Sequence, residues 1–401
     1  MVQQGLTHFF ESFLKQEPIF REKKVLQLSY TPTEVFHRDD EIKQLANILA
    51  PALRLERPSN IFLYGKTGTG KTLCAIYTTN NIIQVAEDKG IPLRVIYINC
   101  KLKRVADTEY RLFAYILGEL GISVPTTGLP TQEIYSAFES YIDQKKQVFI
   151  IILDEIDQLV KKVGDNIIYN LTRLNTRLKN CQISIVGISN DILFIDNIDP
   201  RARSSLSEEE IIFPPYNALQ LQDILRKRAE RAFKENVIEE GVIEKCAAYA
   251  AREHGDARRA LELLRVAGEI AERSQSQKVK IEHIDMAEEK IEKDRVLDIV
   301  AQQPKQQQAA LYAIITLAQG TQSIIYTGEV YEIYQKICKD AGLRPLTQRR
   351  LSDILGELDM LGIINAKVIS KGRFGRTREI SLAISSITTQ KIKKILEQGF
   401  G

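Results

Sequence analysis

The chain has 401 residues, 44% of them apolar and 27% charged, which is the composition of a globular protein long enough for two or three domains. Its apolar runs are short, as at 148–153, and residues 1–14 lack the basic start and apolar stretch of a secretory signal. We therefore expect a cytoplasmic protein without a membrane partner. Five scattered cysteines form no C-x-x-C pair, which argues against a zinc site or a disulfide framework.

The net charge of +3 is unevenly distributed along the chain. From Lys305 to the end, 14 lysines and arginines face 8 aspartates and glutamates. This basic excess indicates a polyanionic partner for the C-terminal hundred residues, although charged faces are often only solvated.

A phosphate loop stands early in the chain. A predicted strand at 60–64 is followed by the spacing G-x-x-x-x-G-K-T at 65–72 and a helix from Leu73. Glycines at these positions let backbone N–H groups point at phosphates, Lys71 can reach the terminal phosphate, and Thr72 offers a hydroxyl to Mg²⁺. The alternative is a surface loop rich in Gly and Thr. The residues predicted to bind ATP or ADP here are Gly65, Lys66, Thr67, Gly68, Thr69, Gly70, Lys71, Thr72 and Leu73.

Two later strands end in polar residues. The apolar run 148–153 is typical of a central parallel strand and ends in Asp154 and Glu155. Carboxylates there lie at the same sheet edge as the phosphate loop, so we expect Asp154 to hold Mg²⁺ and Glu155 to polarise water. An acidic helix cap is the alternative. A strand at 183–188 runs into Asn190, which we expect to contact the γ-phosphate or water rather than only to cap a loop.

Arginines follow in two places. Arg201 and Arg203 precede the last strand, at 210–213, and an arginine near a subunit face can act on a neighbour's γ-phosphate, with a surface salt bridge as the alternative. Arg258 falls in the first turn of a helix, where the helix dipole disfavours a cation. A bound anion would explain it, and so would pairing with Asp256.

The C-terminal unit has the order of a winged helix. Helices at 309–317, 327–341 and 347–361 precede two strands around 372–376, after a Gln-rich connector at 302–308. Outward residues at the start of the third helix, Gln348, Arg349 and Arg350, are placed to read a major groove. Such folds also bind proteins, so both partners stay open. The hairpin adds side chains suited to phosphates or a minor groove, namely Lys371, Arg373, Arg376 and Arg378.

Five motifs carry a resemblance that covers nearly the whole chain. They are GKTGTGKT at 65–72, LDEID at 153–157, GISN at 187–190, DPRARSSL at 199–206 and GDARRAL at 255–261. In this order they resemble the Walker A, Walker B, sensor 1, arginine-finger and sensor 2 motifs of the AAA+ ATPases, specifically the archaeal replication initiators related to the origin recognition complex and its helicase-loading partner.

The resemblance implies an α/β fold with an AAA+ parallel-sheet core, an all-α lid and a winged-helix DNA-binding domain. We expect an N-terminal arm at 1–24, the core at 25–215, the lid at 216–300 and the winged helix at 301–401.

The resemblance also implies roles for single residues. Asn190 would be sensor 1, Arg258 sensor 2 and Arg201 the finger, with Arg203 as the alternative. Residues expected near adenine are Val35, Phe36 and Arg38. A helix predicted at 108–120 after the strand 93–99 would belong to an insertion that touches DNA, with Lys101, Lys103 and Arg104 ahead of it.

The implied function is replication initiation. Such a protein binds double-stranded origin DNA on the nucleoid under ATP/ADP control, slowly hydrolyses ATP with Mg²⁺, and helps recruit or load the replicative helicase of the MCM type, beside possible paralogous initiators. Three alternatives stay open: a nucleotide-gated transcription regulator, a paralogue that modulates replication, and a clamp-loader-like or branch-migration motor.

Overall fold

The computed structural model describes residues 17–27, 30–102, 107–125, 130–191, 193–194, 198–201, 203, 208–253, 255–318, 325–370, 376–384 and 386–400. The chain divides into two compact units, Met1–Ile284 and Asp285–Gly401. Among the described residues, no helix combines the length and the apolar composition that crossing a membrane requires.

A five-stranded parallel sheet forms the centre of the first unit. Its strand order is β2-β3-β4-β1-β5, and every neighbouring pair runs parallel. The carboxyl ends of β1, β3 and β4 therefore meet at one edge, as the sequence predicted. The strands are β1 (Asn60–Tyr64), β2 (Leu93–Asn99), β3 (Gln147–Asp154), β4 (Cys181–Ser189) and β5 (Glu208–Ile212).

The sheet has a packed core on each face, because successive side chains of a strand point to opposite sides. In β3, Phe149, Ile151 and Leu153 enter one core, and Val148, Ile150 and Ile152 enter the other. Every residue of β3 is buried, as expected of a central parallel strand. The helices of this α/β part are α1 (Asp39–Leu49), α2 (Lys71–Lys89), α3 (Glu109–Glu119), α4 (Thr131–Ile142), α5 (Ile156–Val163) and α6 (Asn166–Arg173).

The rest of the first unit is helical, and the start of the described chain packs on it. Phe20 stacks on Phe233 with ring centroids 4.6 Å apart, and the backbone N–H of Ile19 donates to Glu272 Oε1 at 3.2 Å. A Cβ at Gly268 would lie 2.4 Å from the ring of Phe20, so only glycine leaves room for that ring. The helices here are α7 (Ala218–Ala232), α8 (Val242–Arg252), α9 (Ala257–Arg273) and α10 (Ile281–Gln302), which continues past the boundary between the units.

The second unit has the winged-helix order that the sequence predicted. Three helices pack around Tyr334, Leu351 and Leu355, and a three-stranded antiparallel sheet has the order β6-β8-β7. The final helix was not predicted. The elements are α11 (Lys305–Ala318), β6 (Ile325–Tyr326), α12 (Thr327–Asp340), α13 (Gln348–Met360), β7 (Ile364–Ser370), β8 (Arg376–Leu382) and α14 (Ser386–Phe400).

The predicted Gln-rich connector at 302–308 is wrong. The helix α10 extends to Gln302, and α11 already begins at Lys305. The reason lies in Gln308, which is buried and donates from Nε2 to the carbonyl oxygens of Val300 at 3.2 Å and Ala301 at 3.1 Å. Its amide satisfies carbonyls at the end of the preceding helix, so a polar residue here belongs to the packed structure.

Candidate nucleotide site and nucleic-acid interface

The phosphate loop joins β1 to α2 through glycines in left-handed conformations. Gly68 has φ of +74° and Gly70 has φ of +93°, values that side chains disfavour. At Gly65 a Cβ would lie 2.5 Å from the carbonyl oxygen of Phe213, so the loop also packs too closely for another residue. The backbone has the shape that a phosphate cradle requires.

Lys71 lies at the base of this loop and connects it to the end of β4. Its Nζ donates to the carbonyl oxygens of Gly65 at 2.7 Å and Lys66 at 2.8 Å and to Oδ1 of Asn190 at 2.9 Å. Burial, followed by the positive charge of Arg258, lowers the pKa of Lys71 to about 8. A buried ammonium beside a second cation is a strong attractor for an anion.

Asp154, at the end of β3, has both carboxylate oxygens engaged. Its Oδ2 accepts from the hydroxyl of Thr72 at 3.0 Å and from that of Tyr97 at 2.7 Å, while Oδ1 accepts from the N–H of Glu155 at 3.0 Å. The hydroxyl of Thr72 and the carboxylate of Asp154 are oxygen donors of the kind that Mg²⁺ prefers. These two predicted metal-binding residues therefore fit the ion.

Glu155 occupies a backbone conformation that is rare for a side chain other than glycine. Its φ is +55°, and it directly precedes α5. Non-glycine residues held in the left-handed region are commonest at functional sites. Its carboxylate is 3.7 Å from Nζ of Lys101, whose side chain is exposed. This turn directs the carboxylates of the neighbouring residues Asp154 and Glu155 differently, so the two acids can have different chemical roles.

The predicted residues converge on one cavity of about 340 Å³. This volume falls in the usual range for a small-molecule site. Most of the residues predicted from separate motifs line its wall, namely Val35, Phe36, Gly68, Gly70, Lys71, Thr72, Leu73, Asp154, Glu155, Asn190 and Arg258. Gly65, Lys66, Thr67 and Thr69 belong to the same loop but do not line the cavity.

Arg38 lies behind the phosphate loop and not on the cavity wall. It is 2% exposed, and its guanidinium donates to the carbonyl oxygens of Thr69 at 2.9 Å and Pro214 at 2.5 Å. The same group lies 4.0 Å from the ring centroid of Tyr216. The sequence predicted Arg38 near adenine. In the structure its guanidinium instead hydrogen-bonds to the backbone of the phosphate loop, behind the cavity wall.

Several wall residues were not predicted. The guanidinium of Arg228, on α7, lies 4.7 Å from the ring centroid of Tyr30 and donates to the carbonyl oxygen of Val25 at 3.3 Å. Burial lowers the pKa of Arg228. Burial, then the negative charge of Asp154, raises the pKa of the Tyr97 hydroxyl, which therefore stays protonated and donates. Other residues line the cavity but belong to none of the predicted motifs, among them Gln27, Tyr30, Thr31, Pro32, Tyr97, Asn99, Tyr216, Ile224 and Arg228.

The two arginines of the predicted finger box lie outside the cavity. Arg201 is 83% exposed in its side chain and forms two contacts of 3.1 Å with Asp199, through Nε and through Nη2. Arg203 is exposed as well. Neither arginine lines the cavity of its own molecule, and the pairing of Arg201 with Asp199 leaves both predicted roles open, a finger for another copy and a surface salt bridge.

The predicted DNA-binding residues of α13 are exposed near its start. Gln348, Arg349 and Arg350 follow Thr347, whose Oγ1 accepts from the N–H of Arg350 at 3.3 Å. The guanidinium of Arg350 lies 3.4 Å from Asp353, a surface ion pair that water weakens. The first turn of the recognition helix thus presents an uninterrupted polar surface.

The remaining basic residues differ in their surroundings and in how far the structure describes them. Arg378 is half-buried, with Nη1 3.4 Å from the Cβ position of Gly356, so it packs on α13. Lys101 is exposed. Lys103, Arg104, Lys371 and Arg373 lie outside the described residues, and of Arg376 the structure describes the backbone, at the start of β8.

A parallel sheet with this phosphate loop, followed by a helical lid and a winged helix, defines a protein of the AAA+ class. Three family models match in chain order, "AAA domain" at 54–194, "Cdc6 AAA+ ATPase-type lid domain" at 222–289 and "CDC6, C terminal winged helix domain" at 298–391. The chain belongs to the archaeal Cdc6/ORC1-type replication initiators, which confirms the resemblance and the fold class predicted from the sequence.

Relatives match along nearly the whole chain. An "ORC1-type DNA replication protein" of Pyrococcus abyssi is 52% identical, over 99% of this chain and 94% of its own length. The "ORC1-type DNA replication protein 1" of Methanosarcina mazei is 51% identical, over 97% and 94%. Among solved structures, the Aeropyrum pernix ORC1 protein in complex with DNA is 44% identical with a TM-score of 0.81, covering 96% of this chain and 98% of that chain.

Proposed function

We propose that this protein binds double-stranded origin DNA through its winged helix under ATP/ADP control, slowly hydrolyses ATP, and helps recruit or load the replicative helicase of the MCM type. The observation that carries the proposal is the convergence of Lys71, Asp154, Glu155, Asn190 and Arg258 on one cavity. The similar Aeropyrum pernix ORC1 protein, solved in complex with DNA, supports the DNA-binding part.

The residues of the cavity divide the nucleotide chemistry among them. The N–H groups of the loop and the ammonium of Lys71 hold phosphate oxygens, and Thr72 with Asp154 would hold Mg²⁺, an ion that neutralises phosphate charge when bound. Glu155 polarises a water and takes its proton. Asn190, which contacts Lys71, orients that water or the terminal phosphate.

One feature supports slow turnover. The side chain of Arg201 is exposed and does not line its own cavity, so we infer that a second copy supplies the finger before hydrolysis accelerates. A slowly hydrolysed nucleotide suits a switch, in which the lid carrying Arg258 closes on ATP and relaxes with ADP.

The DNA-binding part of the proposal uses two surfaces. Gln348, Arg349 and Arg350 enter the major groove from the first turn of α13, and the basic residues of the wing contact phosphates or the minor groove. The insertion that begins at Lys101 adds a second contact.

The domain boundaries that we propose are 25–215 for the core, 216–300 for the lid and 301–401 for the winged helix, after an arm at 1–24.

The test is a genome-wide map of where the protein is bound, compared with the map of replication start sites. We expect occupancy at replication starts over a repeated duplex element, and co-purification of the replicative helicase and paralogous initiators with the nucleoid. Occupancy at promoters away from replication starts would contradict the proposal in favour of a nucleotide-gated regulator. Occupancy without preferred positions would favour a motor.

A further inference from the structure

Asp256, the residue before α9, lies between the lid helix and the phosphate loop. Its carboxylate accepts from the backbone N–H groups of Arg258 at 2.8 Å and Arg259 at 3.4 Å, as a helix N-cap does. The Oδ1 atom of this carboxylate lies 1.6 Å from the point that a Cβ at Gly68 would occupy. One side chain thus starts the helix and fills the space beside Gly68.

One backbone hydrogen bond and the side chain of Tyr216 also connect the start of α9 to the phosphate loop. The N–H of Ala257 donates to the carbonyl oxygen of Gly68 at 3.2 Å. Gly255 has φ of +68°, and a Cβ there would lie 2.3 Å from the carbonyl oxygen of Tyr216. The hydroxyl of Tyr216 in turn lies 2.7 Å from the Cβ position of Gly70. The start of α9 is therefore held to the loop at Gly68 and, through Tyr216, at Gly70.

The charges around Asp256 give its carboxylate a second task. Arg258 and Lys71 both line the cavity, and their like charges repel each other. Burial raises the pKa of Asp256, whereas the N–H groups at the start of α9 and the charges of Arg258 and Lys71 favour its carboxylate, which attracts both cations. The acid thus offsets the repulsion that would otherwise turn Arg258 away from the side of the cavity where Lys71 lies.

We propose that Asp256 is a positioning residue that acts through Arg258, because it fixes the first turn of α9 against Gly68 and sets the guanidinium where it meets a terminal phosphate. This inference rests on the proposed nucleotide binding and extends it. It assigns to the GDARRAL motif a contact with the phosphate loop in addition to its arginine. Since ADP lacks the γ-phosphate, Asp256 then contributes to the preference for ATP over ADP.

The experiment uses the full chain and measures the dissociation constants of a non-hydrolysable ATP analogue and of ADP separately. The variants are Asp256→Ala, Asp256→Asn, Arg258→Ala and the double variant Asp256→Ala/Arg258→Ala. We expect Asp256→Ala to weaken the ATP analogue by roughly fivefold, the size of an N-cap effect, with ADP nearly unchanged. Asp256→Asn keeps the N-cap but removes the charge that offsets the repulsion between Arg258 and Lys71, so it should retain only part of the preference. The double variant should be no weaker than Arg258→Ala, since both changes remove one interaction.

Other outcomes would overturn the inference in recognisable ways. Equal losses for both nucleotides with a lower melting temperature would assign Asp256 a structural role only, and additive losses in the double variant would separate it from Arg258. If Arg258→Ala keeps the full preference for ATP, Asp256 has no arginine to act through. If the unmodified chain binds neither nucleotide, the proposed function fails first, and the inference fails with it.

Discussion

Nζ of Lys71 lies 2.9 Å from Oδ1 of Asn190, so the cation of the phosphate loop and the polar residue that ends β4 form one unit. The two residues are 119 positions apart in the chain, and the parallel pairing of β1 with β4 brings them together. A phosphate that binds to Lys71 therefore also changes the hydrogen bonding of Asn190.

Nucleotide affinity should fall above pH 8. A bound phosphate favours the ammonium of Lys71, so the pKa of about 8 in the free protein rises on binding and a proton is taken up. Below pH 7 the residue is already charged and affinity should not change through it. Above pH 8 the dissociation constant should rise by up to about tenfold per pH unit. Calorimetry at pH 8 in two buffers of different ionisation enthalpy should detect about 0.5 proton taken up.

The matched control for this pH effect is Lys71→Arg. An arginine stays charged over this range, so the variant should bind nucleotide without proton uptake, whatever its affinity. If the unmodified protein takes up no proton at pH 8, Lys71 does not titrate on binding and the prediction is wrong.

Glu155→Gln should abolish turnover and spare ATP binding. An amide cannot accept the proton of the attacking water, and loss of a general base typically costs at least about 100-fold in rate. Phosphate release measured beside equilibrium ATP binding separates the two effects. Glu119→Gln, at an exposed position on α3, is the control for loss of one charge. Turnover of Glu155→Gln at the normal rate would remove this assignment.

Tyr97→Phe should raise the Mg²⁺ concentration needed for nucleotide binding. Without the 2.7 Å hydrogen bond, Oδ2 of Asp154 loses one of its two donors and its fixed orientation towards Thr72. Changes to such outer partners typically cost about 10- to 100-fold in metal affinity. Titration of Mg²⁺ against a fluorescent nucleotide gives the midpoint, and Tyr141→Phe, which loses a hydrogen bond to Leu120 elsewhere in the unit, serves as the control. An unchanged midpoint would mean that the hydrogen bond from Tyr97 does not contribute to Mg²⁺ binding by Asp154.

Arg350→Ala should weaken binding to a recognised duplex by about 1–3 kcal/mol and reduce discrimination against a shuffled duplex. A base contact is lost only on the recognised sequence, whereas a phosphate contact is lost on both. Lys227→Ala, an exposed charge on α7, controls for net charge. Competition binding at several salt concentrations measures both the affinity for the recognised duplex and the discrimination against the shuffled one. Equal weakening on both duplexes, with a smaller salt slope, would place Arg350 on the phosphates.

Gly268→Ala should release the segment 17–27 from α9. A Cβ at Gly268 would lie 2.4 Å from the ring of Phe20 and 2.9 Å from that of Phe233, and two stacked rings cannot both retreat. Overpacking of this kind typically costs about 1–3 kcal/mol, more than the ~1 kcal/mol that alanine adds to helix propensity. Limited proteolysis should then cut the segment faster. Gly118→Ala, with open space around its Cβ position, is the control.

Local patterns predicted much of this structure. The strand β2 has the bounds read from the sequence, β3 and β4 extend the predicted runs by one or two residues at each end, and the three winged-helix helices appear in order. Motifs made of neighbouring residues, such as the phosphate loop, place their own side chains, because a strand end and a helix start fix the backbone between them. That is why residues from three separate motifs, at the ends of β1, β3 and β4, could be assigned to one sheet edge.

Contacts that depend on strand order could not be predicted in this way. Tyr97 meets Asp154 because β2 lies beside β3, with Asn99 opposite Asp154 in the register. Nothing near Tyr97 in the sequence indicates that neighbour. Arg228 and Tyr30 meet across 198 positions, a contact between a lid helix and a loop that no local pattern indicates either. The prediction of a Gln-rich connector was wrong for a different reason, since polarity alone does not distinguish a linker from a buried amide that caps a helix.

The docking of the segment 17–27 on the lid has a consequence for the order in which the protein folds during synthesis. Ile19 binds Glu272, which is made 253 residues later, and Phe20 packs between Phe233 and α9. Ile19 and Phe20 are therefore made well before the residues that they pack against, and they are among the last of the unit to find their place. Until α9 has been made, two apolar side chains, Ile19 and Phe20, are without their native cover, which makes this segment a natural target for a chaperone.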